Sequence, residues 1–178
     1  IAVICSDMSV YADHLERACR AYQIPVFMDD KKSILLNAFV EYVRSLLAMA
    51  EQDFSYASVF RFLRTGLTAF TRDETDRLEN YVIAVGLKGY KKWQAVWARK
   101  TASVGEEELE QLNGLRVRFV EMVDELVFVL KQRKKTVRDI CEAVCRFFEQ
   151  QKIQQKLSGM EQQFQEKGAL ALAKEYAQ

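Results

Sequence analysis

After Pro25 the chain contains no further proline, and only seven glycines interrupt the whole of it. A sequence with so few places to break a helix is constrained toward long ones. The apolar spacing follows that constraint. Ser33 is placed to cap a helix running to about Ala50, with Leu36, Phe39, Val40, Val43, Leu46 and Leu47 on one wide face. Asp53 or Ser55 caps a short helix carrying Val59, Phe60 and Leu63, which Gly66 ends. Thr71 with Glu74 has the spacing of a capping box, Leu78, Tyr81, Val82 and Val85 point inward, and Gly86 supplies the stop. A long helix spans Glu106 to Lys131 with Leu109, Leu112, Leu115, Phe119, Met122, Val123, Leu126 and Leu130 as its stripe. Thr136 with Asp139 starts another, in which Ile140, Val144, Phe147 and Phe148 face inward. Beyond Gln150 a glutamine-rich, polar stretch to Glu166 reads as a solvated helix or connector.

The first thirty residues have a different character. Ile1 to Cys5 is a short β-branched run suited to a buried strand, Val10 to Tyr22 is helical with Tyr11, Leu15, Ala18 and Cys19 on one stripe, and Ile24 to Met28 is a second strand. That is one strand–helix–strand unit. Two strands cannot bury their own faces, and nothing after Asp30 supplies a third. With a first residue that is isoleucine, the chain reads as an excerpt of a larger protein. The expected fold is mainly α, with residues 1–30 as a βαβ piece of an α/β domain and residues 31–178 as an all-helical domain.

With 49% hydrophobic and 29% charged residues the chain has material for a sizeable core, and a net charge of +1 exerts no overall pull toward nucleic acid. Any such contact must come from local patches. No apolar run approaches the roughly 18 residues of a membrane span. Cysteines at 5, 19, 141 and 145 form no metal framework or disulfide scaffold, which suits a reducing cytoplasm.

Few residues carry chemistry. No G-x-x-x-x-G-K-[ST] is present to cradle a triphosphate. Cys141 and Cys145 share a helix face and would be half a metal site, but no second pair follows, so they read as buried core thiols. His14 sits beside Asp13 with no activated nucleophile in view. Asp29-Asp30 and Glu106-Glu107-Glu108 read as helix-start acids in favourable contact with the macrodipole rather than metal carboxylates. Neither catalytic nor metal residues are assigned. The stretch "GLKGYKKWQAVWARKTASVG" is expected to be loop with at most a short helix, and it holds the candidate site. Lys88, Lys91, Lys92, Trp93, Trp97, Arg99 and Lys100 combine phosphate-pairing charge with rings on which bases can stack. The alternative is that Trp93 and Trp97, four apart, plug the helical core while the lysines stay in water. A second cluster, Lys131, Arg133, Lys134, Lys135 and Arg138, reads as a solvated helix–helix turn.

The segment "IAVICSDMSVYADHLERACRAYQIPVFMD" resembles the part of Rep/UvrD-type superfamily one helicases in which a strand and helix of the second, RecA-like motor domain lead into a large helical insertion. "IPVFMDDKKSILLNAFVEYVRSLL", "YASVFRFLRTGL" and "LENYVIAVGLKGYKKW" are more similar still to the B subunits of AddAB (RexAB) helicase–nucleases. The likeness runs from Ile1 to about Trp97 and fades afterwards. It implies a parent that is an ATP-dependent deoxyribonuclease/helicase component of the cytoplasm. That parent processes double-strand DNA ends for recombinational repair as a heterodimer with an A subunit. It would use ATP, Mg and an iron–sulfur cluster outside this region, and the present chain would be a non-catalytic helical domain that guides DNA or packs on the A subunit. Where ATP-active relatives carry an arginine after the first strand, Cys5, Ser6 and Asp7 stand here, which removes a bidentate phosphate contact. The alternatives are the insertion of an active Rep/UvrD-type helicase and a plain helical scaffold for other proteins.

Overall fold

The computed structural model describes residues 2–28 and 37–177. The chain divides into two compact units, Ile1–Leu35 and Leu36–Gln178. In the first unit, helix α1 (Met8–Ala21) ends where Gln23 adopts a left-handed backbone, φ 55°, and the Ile24 N–H donates to Cys19 O at 2.8 Å. This 6→1 bond is the Schellman closure. Residues 2–5 and 24–28 form no β-strand. Residues 2–5 and 25–28 line one open cleft with Met8, Leu15 and Cys19 of α1, and among the described residues no ladder of backbone hydrogen bonds joins the two segments. The expectation of two strands is corrected accordingly. A strand persists by pairing with a neighbour, and neither segment has one among the described residues. The stripe of α1 is also rotated from the expected one, because the two segments cover Met8, Ala12, Leu15 and Cys19 and leave Tyr11 and Ala18 in water.

The second unit is wholly helical. It contains α2 (Ala38–Glu51), α3 (Tyr56–Leu63), α4 (Arg72–Val85), α5 (Tyr90–Gln94), α6 (Glu106–Lys131), α7 (Val137–Gln150), α8 (Ile153–Glu166) and α9 (Leu170–Ala177). Asn37 caps α2 by accepting from the Phe39 and Val40 N–H groups. The expected cap Ser33, with Leu36 and Asp29-Asp30, lies outside the described residues. Ser55 caps α3. Complete capping boxes at Thr71/Glu74 and Thr136/Asp139 start α4 and α7. Gly86 ends α4 with φ 67°, a conformation that costs a glycine nothing.

The core is aromatic and built around α6. Leu109, Leu112, Phe119, Val123 and Leu126 are buried at heptad-like spacing, while Leu115, Met122 and Leu130 are only partly covered. Phe119 packs on Trp93 at 4.6 Å between centroids and meets Phe54 and Phe70 edge-on. Across the unit Tyr42, Phe62 and Phe147 form a second aromatic group, in which the Tyr42 hydroxyl is buried without a hydrogen-bond partner among the described residues. On α7 the buried residues are Ala143 and Phe147, with Ile140, Val144 and Phe148 half-buried. Cys141 and Cys145 are exposed rather than core, because they lie about 120–160° around the helix from Ala143 and Phe147.

The stretch after Gln150 is more than a connector. Ile153 is buried, Lys156 Nζ donates to Leu67 O at 2.7 Å, and the Met160 methyl lies beside Gly66. Helix α9 then returns to the start of α2. Asn37 Nδ2 donates to Glu175 Oε1 at 2.8 Å, and Tyr176, stacked on Phe164, accepts from the Ala38 N–H at 3.4 Å. Helix α9 is therefore a neighbour of the start of α2. Among the described residues, no helix is long and apolar enough to cross a membrane.

Candidate nucleic-acid interface

The segment between α4 and α6 holds the seven candidate residues. Gly86 terminates α4, Gly89 turns the chain at φ 95°, and α5 is only five residues long. The rest, to Gly105, is loop with an isolated bridge between Thr101 and Val104. Such a segment has little backbone bonding of its own. Its shape comes from side chains of α6 and α4.

Two residues of α6 do most of this holding. Asn113 Oδ1 accepts from the Trp97 N–H at 2.9 Å, and its Nδ2 donates to Trp97 O at 2.8 Å. Arg116, one turn on, donates from Nη1 to Trp93 O at 2.8 Å and Gln94 O at 3.1 Å, and from Nε to Asn113 Oδ1 at 3.0 Å. Arg116 is buried, and desolvation lowers its pKa from the usual guanidinium value. Its acceptors are peptide and amide oxygens rather than a carboxylate. From α4 the Tyr81 hydroxyl donates to Arg99 O at 2.8 Å. The Trp97 indole N–H donates to Lys92 O at 2.9 Å.

The seven residues consequently split. Trp93 and Trp97 are 1% and 5% exposed and stack in the core against Phe119 and Tyr81. Neither ring is free to sandwich a base, Trp97 contributing only an edge of its surface to a cleft, and base stacking on them is withdrawn. An indole of that size is worth more under a helix bundle than in water. Lys88, Lys91, Lys92, Arg99 and Lys100 are exposed, and Lys100 pairs with Glu106 at 3.1 Å. Lys92 and Arg99 rim a shallow cleft of about 250 Å³ lined by Tyr81, Val85, Leu87, Val96 and Trp97. The structure thus exposes five cations along α5 and the loops flanking it, a segment anchored by two buried tryptophans, and brings Lys92 and Arg99 to one cleft. What the sequence did not reveal is Arg116 with Asn113. The available signal was one arginine falling inside an apolar heptad stripe.

The other candidates are scattered. His14 is exposed on α1. Glu106 and Glu108 sit in the first turn of α6 and pair with Lys100 and Arg77. Among the described residues, no group of three or more His, Cys, Asp or Glu is arranged to hold a metal ion. Cys141 and Cys145 are two thiols on one helix surface. An iron–sulfur cluster takes four such ligands, so this donor set does not fit one.

No protein-family model matches the chain. Its sequence is 37% identical over its whole length to a protein of Lachnoclostridium phytofermentans that is named as the B subunit of an ATP-dependent helicase/deoxyribonuclease. Proteins of the same name from Clostridium novyi and Acetivibrio thermocellus are each 34% identical, again over the whole chain. The likeness therefore does not fade after Trp97 but continues through α6 to α9. The chain spans 16%, 15% and 16% of these relatives.

Proposed function

We propose that this chain, homologous along its whole length to one stretch of ATP-dependent helicase/deoxyribonuclease B subunits, is the stretch in which a RecA-like motor-type domain is interrupted by a helical insertion. The full-length correspondence is the observation that carries this reading. Residues 1–30 belong to the motor-type domain and residues 31–178 to the insertion. The chain of an inserted domain must return to its host near where it left it, and α9, which brings Glu175 and Tyr176 back to Asn37 and Ala38, runs in a way compatible with such a return.

The parent is a cytoplasmic, ATP-dependent DNA-processing enzyme that works with an A subunit in recombinational repair. ATP, Mg and an iron–sulfur cluster are handled by its other segments, since neither a phosphate loop nor a four-thiolate set is available here. The insertion itself is a non-catalytic guide for DNA. Lys88, Lys91, Lys92, Arg99 and Lys100 contact phosphates without reading bases, and Trp93 and Trp97 hold their loop in place. Packing on the A subunit is the second reading, favoured by the burial of the two rings that would have stacked on bases.

The test is fluorescence anisotropy of the chain with a forked DNA over a series of salt concentrations, beside a Lys91→Ala/Lys92→Ala variant. Binding with a steep salt dependence, shallower in the variant by about 1.4–1.8 in log–log slope, supports the guide. No binding by the folded chain at low salt sinks it and leaves subunit packing.

A further inference from the structure

The two cationic segments, far apart in sequence, meet at Asp53. This residue lies in the tight turn between α2 and α3, with φ 44°. Its Oδ1 accepts from Lys131 Nζ at 2.8 Å, at the end of α6, and from the Tyr90 N–H at 3.4 Å, at the start of α5. Lys131 Nζ also stands 4.8 Å from the centre of the Tyr90 ring. A Cβ at position 89 would lie 3.1 Å from Asp53 Oδ2, so glycine lets the α5 backbone come this close. One carboxylate therefore joins the beginning of α5 to the end of α6.

Chain continuity then places the rest. Lys88 and Lys91 flank Gly89-Tyr90, while Arg133, Lys134 and Lys135 follow Gln132 where α6 stops. All six cations are exposed, and Lys88, Arg133 and Lys134 form no ion pair with a described residue. Asp124 and Asp139 keep their charge but are turned to local partners, Asp124 to the Tyr90 hydroxyl and Asp139 to the capping box of α7. From this juxtaposition we infer that Lys88, Lys91, Lys131, Arg133, Lys134 and Lys135 form one phosphate-contacting edge for a nucleic-acid backbone, with Asp53 tying its two halves together.

The ligand class follows from the chemistry. Flexible ammonium groups spread over two segments suit a series of spaced phosphates better than one compact anion, which needs a cradle of fixed donors. Whereas protein interfaces concentrate binding energy in clusters of buried aromatic anchors, this edge has a single exposed ring, Phe128, one turn before Lys131 on α6, beside six charges. Contacts of this sort position a strand without reading its sequence. The inference rests on the reading that the helical unit meets DNA, and extends it to a turn that the sequence alone marks only as solvated.

The experiment uses the same anisotropy series with single-stranded and duplex oligonucleotides and three further variants. Lys134→Ala/Lys135→Ala removes the second half of the edge, Arg72→Ala/Lys167→Ala removes two exposed cations elsewhere on the unit, and Asp53→Asn removes the central negative charge. Asn tolerates the left-handed backbone at position 53. The expected result is a log–log salt slope shallower by about 1.4–1.8 for the Lys134/Lys135 variant, little change for the Arg72/Lys167 variant, and several-fold tighter binding by Asp53→Asn at low salt. If the parent chain binds and Lys91→Ala/Lys92→Ala weakens it while Lys134→Ala/Lys135→Ala does not, the joint edge is overturned and the guide reading survives. Equal losses in the Lys134/Lys135 and Arg72/Lys167 variants also overturn it, as general charge attraction. Absence of binding by the folded parent overturns both.

Discussion

In the first unit the most apolar side chains face water: Val3, Ile4 and Phe27 are 71%, 96% and 91% exposed. In the second, side chains of the same kind, Leu46, Phe62, Phe119 and Val123 among them, are buried almost completely. Composition does not distinguish the two regions; the availability of a covering element does. Each helix of the second unit finds another to lie on, whereas α1 is covered on one side by two extended segments that, among the described residues of their unit, have no further element packed on them. Hydrophobic residues define a core only where the chain also provides its lid.

The largest test of that contrast is Trp93→Ala. Removing a buried indole that touches Phe119 and Trp97 should lower the stability of the helical unit by about 3–5 kcal/mol. Urea unfolding followed by far-UV circular dichroism measures it. A loss of less than about 1 kcal/mol would mean that the 88–105 segment is not part of the core.

A smaller effect belongs to the clamp. Arg116→Ala leaves the carbonyls of Trp93 and Gln94 and one acceptor position of Asn113 without their donor, at a cost of about 2–4 kcal/mol. Arg116→Met, which fills the volume but donates nothing, should recover part of the packing and none of the loop order. Faster amide exchange at Trp97 in both variants, measured by mass spectrometry, separates the clamp from simple space filling.

The opposite sign is expected at Tyr42. Its hydroxyl is buried without a partner among the described residues, and burial pushes its pKa well above the usual phenol range. Tyr42→Phe removes the desolvated group and keeps the ring between Phe62 and Phe147, so stability should rise by about 1 kcal/mol. A fall on urea titration would show that the hydroxyl is satisfied in solution.

These positions also show which parts of the molecule the sequence disclosed. The capping boxes at Thr71 and Thr136, the α4 stop at Gly86 and the span of α6 were legible because each is set by residues within a few positions of one another. The strand expectation for residues 1–5 and 24–28 did not materialise, because strand formation depends on a partner that a local pattern cannot supply. The orientation of Trp93 and Trp97 was undecidable from spacing alone. Two residues four apart in a glycine-flanked loop have no helical register to assign their face, and the groups that fix them, Asn113 and Arg116, come from α6. Cys141 and Cys145 were misplaced for a related reason: the apolar face of α7 is narrow, and a small residue, Ala143, occupies its centre.

The smallest effect is the one that sharpens the opening contrast most. Phe27→Ser in the 178-residue chain changes a side chain that is already in water, so its stability should move by less than about 0.5 kcal/mol. The same substitution in the longer parent carries a different expectation. If residues 24–28 are there covered by the remainder of a motor-type sheet, losing a buried phenyl ring costs about 3 kcal/mol or more, visible as an earlier thermal transition of that domain. Equal, negligible shifts in both contexts would mean that this apolar edge stays uncovered in the parent, and the motor-domain assignment of residues 1–30 would fall. A cost already present in the short chain would instead mean that Phe27 has a partner within these 178 residues, and the two units would no longer differ in the way their exposed side chains suggest.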